Sequence, residues 1–167
     1  MTKKKNLAWF FAFSCCVSLL LGLSGKAFAQ SPLEGAWVLE NTQDAKGNAD
    51  TEPLPGLWLF TMNHYSMMFV TGDKPRALPD ENNPSDAQLL KAYRSFTANS
   101  GRYELKGNQV IMHPYVAKSP NFMAGWPQTT ITFSFVRDGD SLTVTDPDGE
   151  KFTFQNVDSS APPWEQQ

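Results

Sequence analysis

Three short turns limit what the second half of this chain can become. Lys106-Gly107-Asn108, Asp138-Gly139 and Asp148-Gly149 each stand between runs in which apolar and polar residues alternate. Gly and Asn accept the positive φ that a tight hairpin turn demands, so such pairs between alternating runs mark hairpins. "SGRYELKGNQVIMHPYV" (100–116) therefore reads as one hairpin, and "TTITFSFVRDGDSLTVTDPDGEKFTFQNV" (129–157) as three strands. Ile131, Phe133 and Phe135 alternate with Thr130, Thr132 and Ser134, which sets one face inward and the other toward water. Upstream, "LEGAWVLE" (33–40) is a first strand followed by a polar connection. "GLWLFTMNHYSMMFV" (56–70) makes two strands around a turn at Asn63-His64. Its alternation puts Trp58, Phe60 and Met62 on one face, then Tyr65, Met67 and Phe69 on one face of the next strand.

A single segment has helical period. In "SDAQLLKAYRSFTA" (85–98), Ser85 is suited to be an N-cap, and Leu89, Tyr93 and Phe96 share a face at i, i+4 and i+7. That face is expected to lie against a sheet or across an open end. The fold class that follows is all-β: an antiparallel up-and-down barrel of about 8–10 strands with one short α-helix. A barrel of that size has room for one small ligand.

The N-terminus predicts export. Lys3, Lys4 and Lys5 precede a nearly continuous apolar run from Leu7 to Leu23, and small residues at Ala27 and Ala29 offer a cleavage site. Residues 1–29 thus read as a cleaved secretory signal peptide, 30–157 as the barrel domain and 158–167 as a flexible tail in which Trp164 can fold back. The expected location is the periplasm or the medium, with no membrane span after cleavage. Cys15 and Cys16 lie within the signal, so the mature chain must be held by its core alone. Removing 29 of 167 residues leaves 138. It also removes four of 14 basic residues and none of 17 acids, so the mature net charge is near −7. That balance argues against nucleic acid and anionic membrane surfaces as partners.

Beyond these patterns, the chain resembles a bacterial lipocalin-like domain family of the calycin group. Gly35 and Trp37 in "GAWVLE" look like the Gly-x-Trp that opens lipocalin chains. A longer match runs from "AYRSFTANSGRYELKGNQVIMHPYV" to "DGDSLTVT". It comprises Gly101, Tyr103 and Glu104; His113; the Pro120-Asn121-Phe122 loop with Gly125; and Gly139, Asp140, Leu142 and Thr145. The resemblance implies a barrel with an internal cavity. Two departures stand out. Pro114 occupies a place where family members often carry a second polar residue, commonly histidine, and Thr129 or Thr130 stands where they tend to carry arginine. Chemistry that depends on that pair is altered here.

The candidate site is an apolar one. Trp58, Phe60, Tyr65, Met67, Phe69, Phe133 and Phe135 are expected to contact the body of a small apolar or amphipathic ligand, with Tyr103 and His113 near its polar end. Aromatic rings give large contact area with few torsions to freeze, and methionine adapts to irregular shapes. Filling the barrel as ordinary core is the competing role for the same residues. His113 shares a strand face with Ile111 and Tyr115, opposite Val110, Met112 and Pro114; alternation leaves open which face lines the cavity. Phe122, Met123 and Trp126 in loop 117–128 are candidates for a lid. Arg102 and Glu104 form either a carboxylate anchor turned inward or a solvated pair outside. An enzyme on this barrel would use His113 with Tyr103 or Glu104 as acid and base. An envelope interaction module would have a filled barrel, with Phe122 and Trp126 exposed together. No cofactor or metal is expected. The mature chain has no cysteine, two separated histidines and no nucleophile elbow, and "DPDGE" is a turn rather than a calcium loop.

Overall fold

The computed structural model describes residues 31–72, 74 and 78–157. The signal-peptide and tail expectations, Trp164 included, fall outside these residues. The strands are β1 (Gly35–Gln43), β2 (Ala49–Asp50), β3 (Gly56–Phe60), β4 (His64–Val70), β5 (Phe96–Lys106), β6 (Gln109–Ala117), β7 (Ile131–Asp138), β8 (Ser141–Thr145) and β9 (Lys151–Asn156), with one helix, α1 (Asp86–Arg94), between β4 and β5. From β3 onward each strand pairs antiparallel with the next, and β1 pairs with both β3 and β9. Eight strands thus close into a barrel, and the two-residue β2 lies beside the far end of β1. The expected all-β up-and-down barrel with one short helix is what the chain forms.

Side-chain alternation turns one face of each of the eight barrel strands into the core. Trp37, Trp58, Phe60, Tyr65, Tyr103, Val110, Met112, Phe135, Leu142, Val144 and Phe154 are all buried there with Leu33. Trp58 anchors a ring cluster, with Phe60, Phe133 and Phe154 at centroid distances of 5.1, 5.4 and 5.6 Å. Such offset and edge contacts add to the area term of burial.

One end of the barrel is shut by the segment before β1. Leu33 is buried, and its carbonyl accepts from Trp37 Nε1 at 2.7 Å. The Tyr103 hydroxyl has three oxygens around it: Ser31 Oγ at 2.6 Å, the Thr61 carbonyl at 2.8 Å and the Met62 carbonyl at 3.2 Å. Arg137 lies over the Trp37 ring at 5.1 Å and donates to the Pro32 carbonyl at 2.7 Å. These contacts strap residues 31–33 across the floor.

Two local devices shape the opposite half. Between Ser100 and Gly101 the β5–β6 register shifts, leaving Tyr115 as the extra residue of a bulge. A Cβ on Gly101 would stand 2.0 Å from the His113 carbonyl oxygen, so only glycine permits this crossing. The β6–β7 ladder covers only Gln109–Met112 against Ser134–Ile131. Past Met112 these two strands separate, and residues 118–130 bridge the gap.

Two boundaries and the packing of the helix differ from the sequence-based reading. The helix ends at Arg94, not 98, because residues from Phe96 onward extend and pair with Val70, Phe69 and Met68. Its apolar face is not laid down as core: Leu89 and Tyr93 are 49% and 47% exposed. β1 runs on through Asn41–Gln43, a polar stretch recruited because β9 and β2 both offer it backbone partners.

Candidate functional site

The half of the barrel away from the floor is hollow. Its larger cavity, about 400 Å³, is lined on its inner wall by Leu39, Trp58, Met67, Phe69, Phe133 and Phe152. These come from β1, β3, β4, β7 and β9, so the cavity lies within the barrel itself. A second cavity of about 380 Å³ lies between the start of β5, the end of β6 and α1. Asn99, Ala117, Phe122 and Ile131 line it. Met67 and Thr97 line both cavities and form their common wall. Each volume falls in the range that holds a small organic ligand.

The rim of the first chamber is polar. Lys74 Nζ pairs with Asp50 Oδ2 at 2.7 Å and also contacts the Glu52 carbonyl. This joins Lys74 to the connection after β2, with Pro53 and Leu54 on the same rim. The Lys74 ammonium, helped by the Glu52 N–H, holds the Asp50 carboxyl below the usual carboxylate range. Both partners are about half exposed, so their pairing shapes the rim more than it stabilises the fold.

The second chamber is roofed by a small clamp. The Tyr93 hydroxyl donates to the Lys118 carbonyl at 3.1 Å, and Lys118 Nζ donates to the Phe96 carbonyl at 2.7 Å. The same ammonium lies 3.7 Å from the Tyr93 ring centre, where the ring's negative face attracts it. The end of α1 and the start of loop 118–130 are thereby tied together, although α1 buries none of its residues.

Of the nine expected ligand contacts, Trp58, Met67, Phe69 and Phe133 line the first chamber. Phe60, Tyr65 and Phe135 are buried in the core and line neither chamber. Tyr103 also corrects expectation: its hydroxyl is engaged at the floor with Ser31, Thr61 and Met62, far along the barrel from the mouth. His113 is a second correction. Val110, Met112 and Pro114 are the buried residues of β6, so His113 faces outward with Ile111 and Tyr115. Its Nε2 lies 3.6 Å from the exposed Glu104 Oε1 on the outer wall. Arg102 is likewise exposed. The acid–base set His113, Tyr103 and Glu104 is thus split between the outer wall and the floor, and no member lines a chamber.

Pro114 adds to this. It is a buried position of β6, so this barrel points a proline ring inward there. Among the lid candidates, Phe122 lines the second chamber and Met123 is half-buried, but Trp126 is 56% exposed. Among the described residues no group of three or more His, Cys, Asp or Glu side chains is placed to hold a metal ion.

Sequence reasoning missed Leu39, Phe152 and Asn99. Phe152 alternates with Phe154 across "KFTFQN" and was accessible to the same periodicity argument. Asn99 carried no signal, because its inward direction depends on β5 beginning at Phe96.

Similar proteins are found among solved structures. A lipocalin-like protein from Bacteroides uniformis is similar at 20% identity, with 74% of this chain and 97% of that one covered and a TM-score of 0.46. An uncharacterized protein from Bacteroides eggerthii is similar at 15% identity, covering 74% and 98%, also with a TM-score of 0.46. No curated protein matches. The family model for the lipocalin-like domain matches residues 34–159, which is most of the chain and the whole barrel. The chain belongs to the lipocalin-like domain family.

Proposed function

We propose that this is an exported protein that takes up one small apolar or amphipathic molecule in the hollow half of its barrel. The observation that carries the reading is the chamber of about 400 Å³ walled by Leu39, Trp58, Met67, Phe69, Phe133 and Phe152. A core built only for stability closes at close-packed density, because unfilled space costs cohesive contacts. An apolar body burying about 250 Å² would gain roughly 6 kcal/mol before association costs, so micromolar affinity, about 8 kcal/mol net, needs close packing or a polar contact in addition.

Met67 provides the test, since it stands where the two chambers meet. The unmodified protein is expected to take up the neutral dye N-phenyl-1-naphthylamine with a rise in fluorescence. Met67→Trp adds bulk at the junction and should weaken uptake by about tenfold while the circular dichroism spectrum is kept. A dye affinity unchanged by Met67→Trp would place binding elsewhere and refute this site.

Export rests on residues 1–29, with the basic start, apolar run and Ala27-x-Ala29 site. Protein recovered from a periplasmic extract of a Gram-negative host should begin at Gln30. An uncleaved chain retained in the membrane fraction would contradict the assignment.

A further inference from the structure

The second chamber contains polar groups of unlike standing. Lys118 is engaged, donating to the Phe96 carbonyl and lying over the Tyr93 ring. Asn99 is not. It is 6% exposed, and its Oδ1 is sealed from solvent with no hydrogen-bond partner among the described residues. Its side chain lies on the interior face of β5 and lines the chamber. Its register partners are Met67 on β4 and Ala117 on β6, and neither side chain can donate to it. A buried carbonyl oxygen without a donor destabilises the fold, and an aliphatic residue would fill that position at less cost if nothing bound there.

We propose that the ligand is an uncharged amphipath with a hydrogen-bond-donating head, such as a hydroxyl, and that Asn99 receives this head beneath α1 while the apolar body passes Met67 into the aromatic chamber. This rests on the reading that the barrel takes up a ligand, and it names the chemistry of that ligand. A hydroxyl offers the missing proton to Oδ1. A carboxylate head would set an acceptor against an acceptor. An ether of equal length brings the same apolar body with no donor.

Displacement of N-phenyl-1-naphthylamine from the full mature protein by decan-1-ol, decyl methyl ether and decanoate separates these cases. Decan-1-ol should displace the dye at about tenfold lower concentration than the ether, the ratio that one donor to an otherwise unpaired buried acceptor supplies. Asn99→Leu should abolish that difference, so that alcohol and ether displace the dye at similar concentrations. Equal displacement by alcohol and ether would overturn the proposal, as would decanoate proving the strongest competitor through Lys118 and through Arg94, which also lines this chamber. Both of these comparisons use the unmodified protein, so the folding of Asn99→Leu does not decide them. If the dye is never taken up, the uptake reading falls too. Uptake without a preference for the alcohol removes only the role of Asn99.

Discussion

Tyr65 and Tyr103 are equally buried, at 4% exposure each, yet their hydroxyls differ in standing. Tyr103 has three oxygens within hydrogen-bonding distance at the floor, whereas the Tyr65 hydroxyl has no partner among the described residues. Removing a satisfied buried hydroxyl strands the groups it served, so Tyr103→Phe should cost about 1–3 kcal/mol in urea unfolding. Tyr65→Phe should be neutral or raise stability by about 1 kcal/mol, because it removes a desolvated group with nothing to bond. The pH dependence has a definite sign. Burial pushes the Tyr65 phenol well above its ordinary value of 10.0. Below pH 10 both folded and unfolded chains hold this proton, and the folded state keeps its full stability. As pH rises from there the unfolded chain ionises first, so stability is lost toward the folded value. Tyr65→Phe should therefore flatten part of the alkaline decline; an identical decline in both proteins would remove burial of Tyr65 as its cause. At this scale the sequence was legible in part. Alternation picked Trp58, Met67, Phe69 and Phe133 correctly as interior, but it cannot say how far along the barrel each lies. Tyr103 went to the floor for that reason, and His113 to the outer wall because both faces of β6 carry apolar residues.

Elements divide into those fixed by local chemistry and those fixed by partners. The hairpins of the C-terminal half were legible because Gly139, at φ +59°, sits in a turn that demands a residue tolerant of that region. The end of α1 was not legible. Phe96 continues the helical spacing of Leu89 and Tyr93, but it starts β5, where Val70 offers a ladder partner. Tertiary pairing outweighed local period there. The start of α1 is local: Ser85 accepts from the Gln88 N–H at 3.3 Å while Gln88 Oε1 accepts from the Ser85 N–H at 2.8 Å. Ser85→Ala should cost the helix about 1 kcal/mol. Because α1 buries no residue, this loss should appear as faster amide exchange across Asp86–Arg94 with the global unfolding midpoint unchanged. A fall in the global midpoint would mean that the roof is part of the cooperative barrel.

The molecule as a whole is a barrel with a strapped floor and a hollow upper half. That asymmetry arises from closure. Pairing of β1 with β9 brings Leu39 against Phe154 and Phe152 toward the same interior, and the early separation of β6 from β7 leaves room beside Asn99. Neither feature belongs to any single segment, so neither was legible before the strands were joined. The two halves carry a built-in pair of reporters. Met67 stands at the junction of the chambers, while Met112 is fully buried in the core below. Methyl-labelled methionine spectra recorded during titration with N-phenyl-1-naphthylamine test the central claim most directly. Ring currents from a dye in the hollow half should shift the Met67 methyl strongly and leave Met112 and the exposed Met62 nearly still. Movement of Met62 alone, or of no methionine while fluorescence rises, would place the ligand outside the barrel and contradict the account.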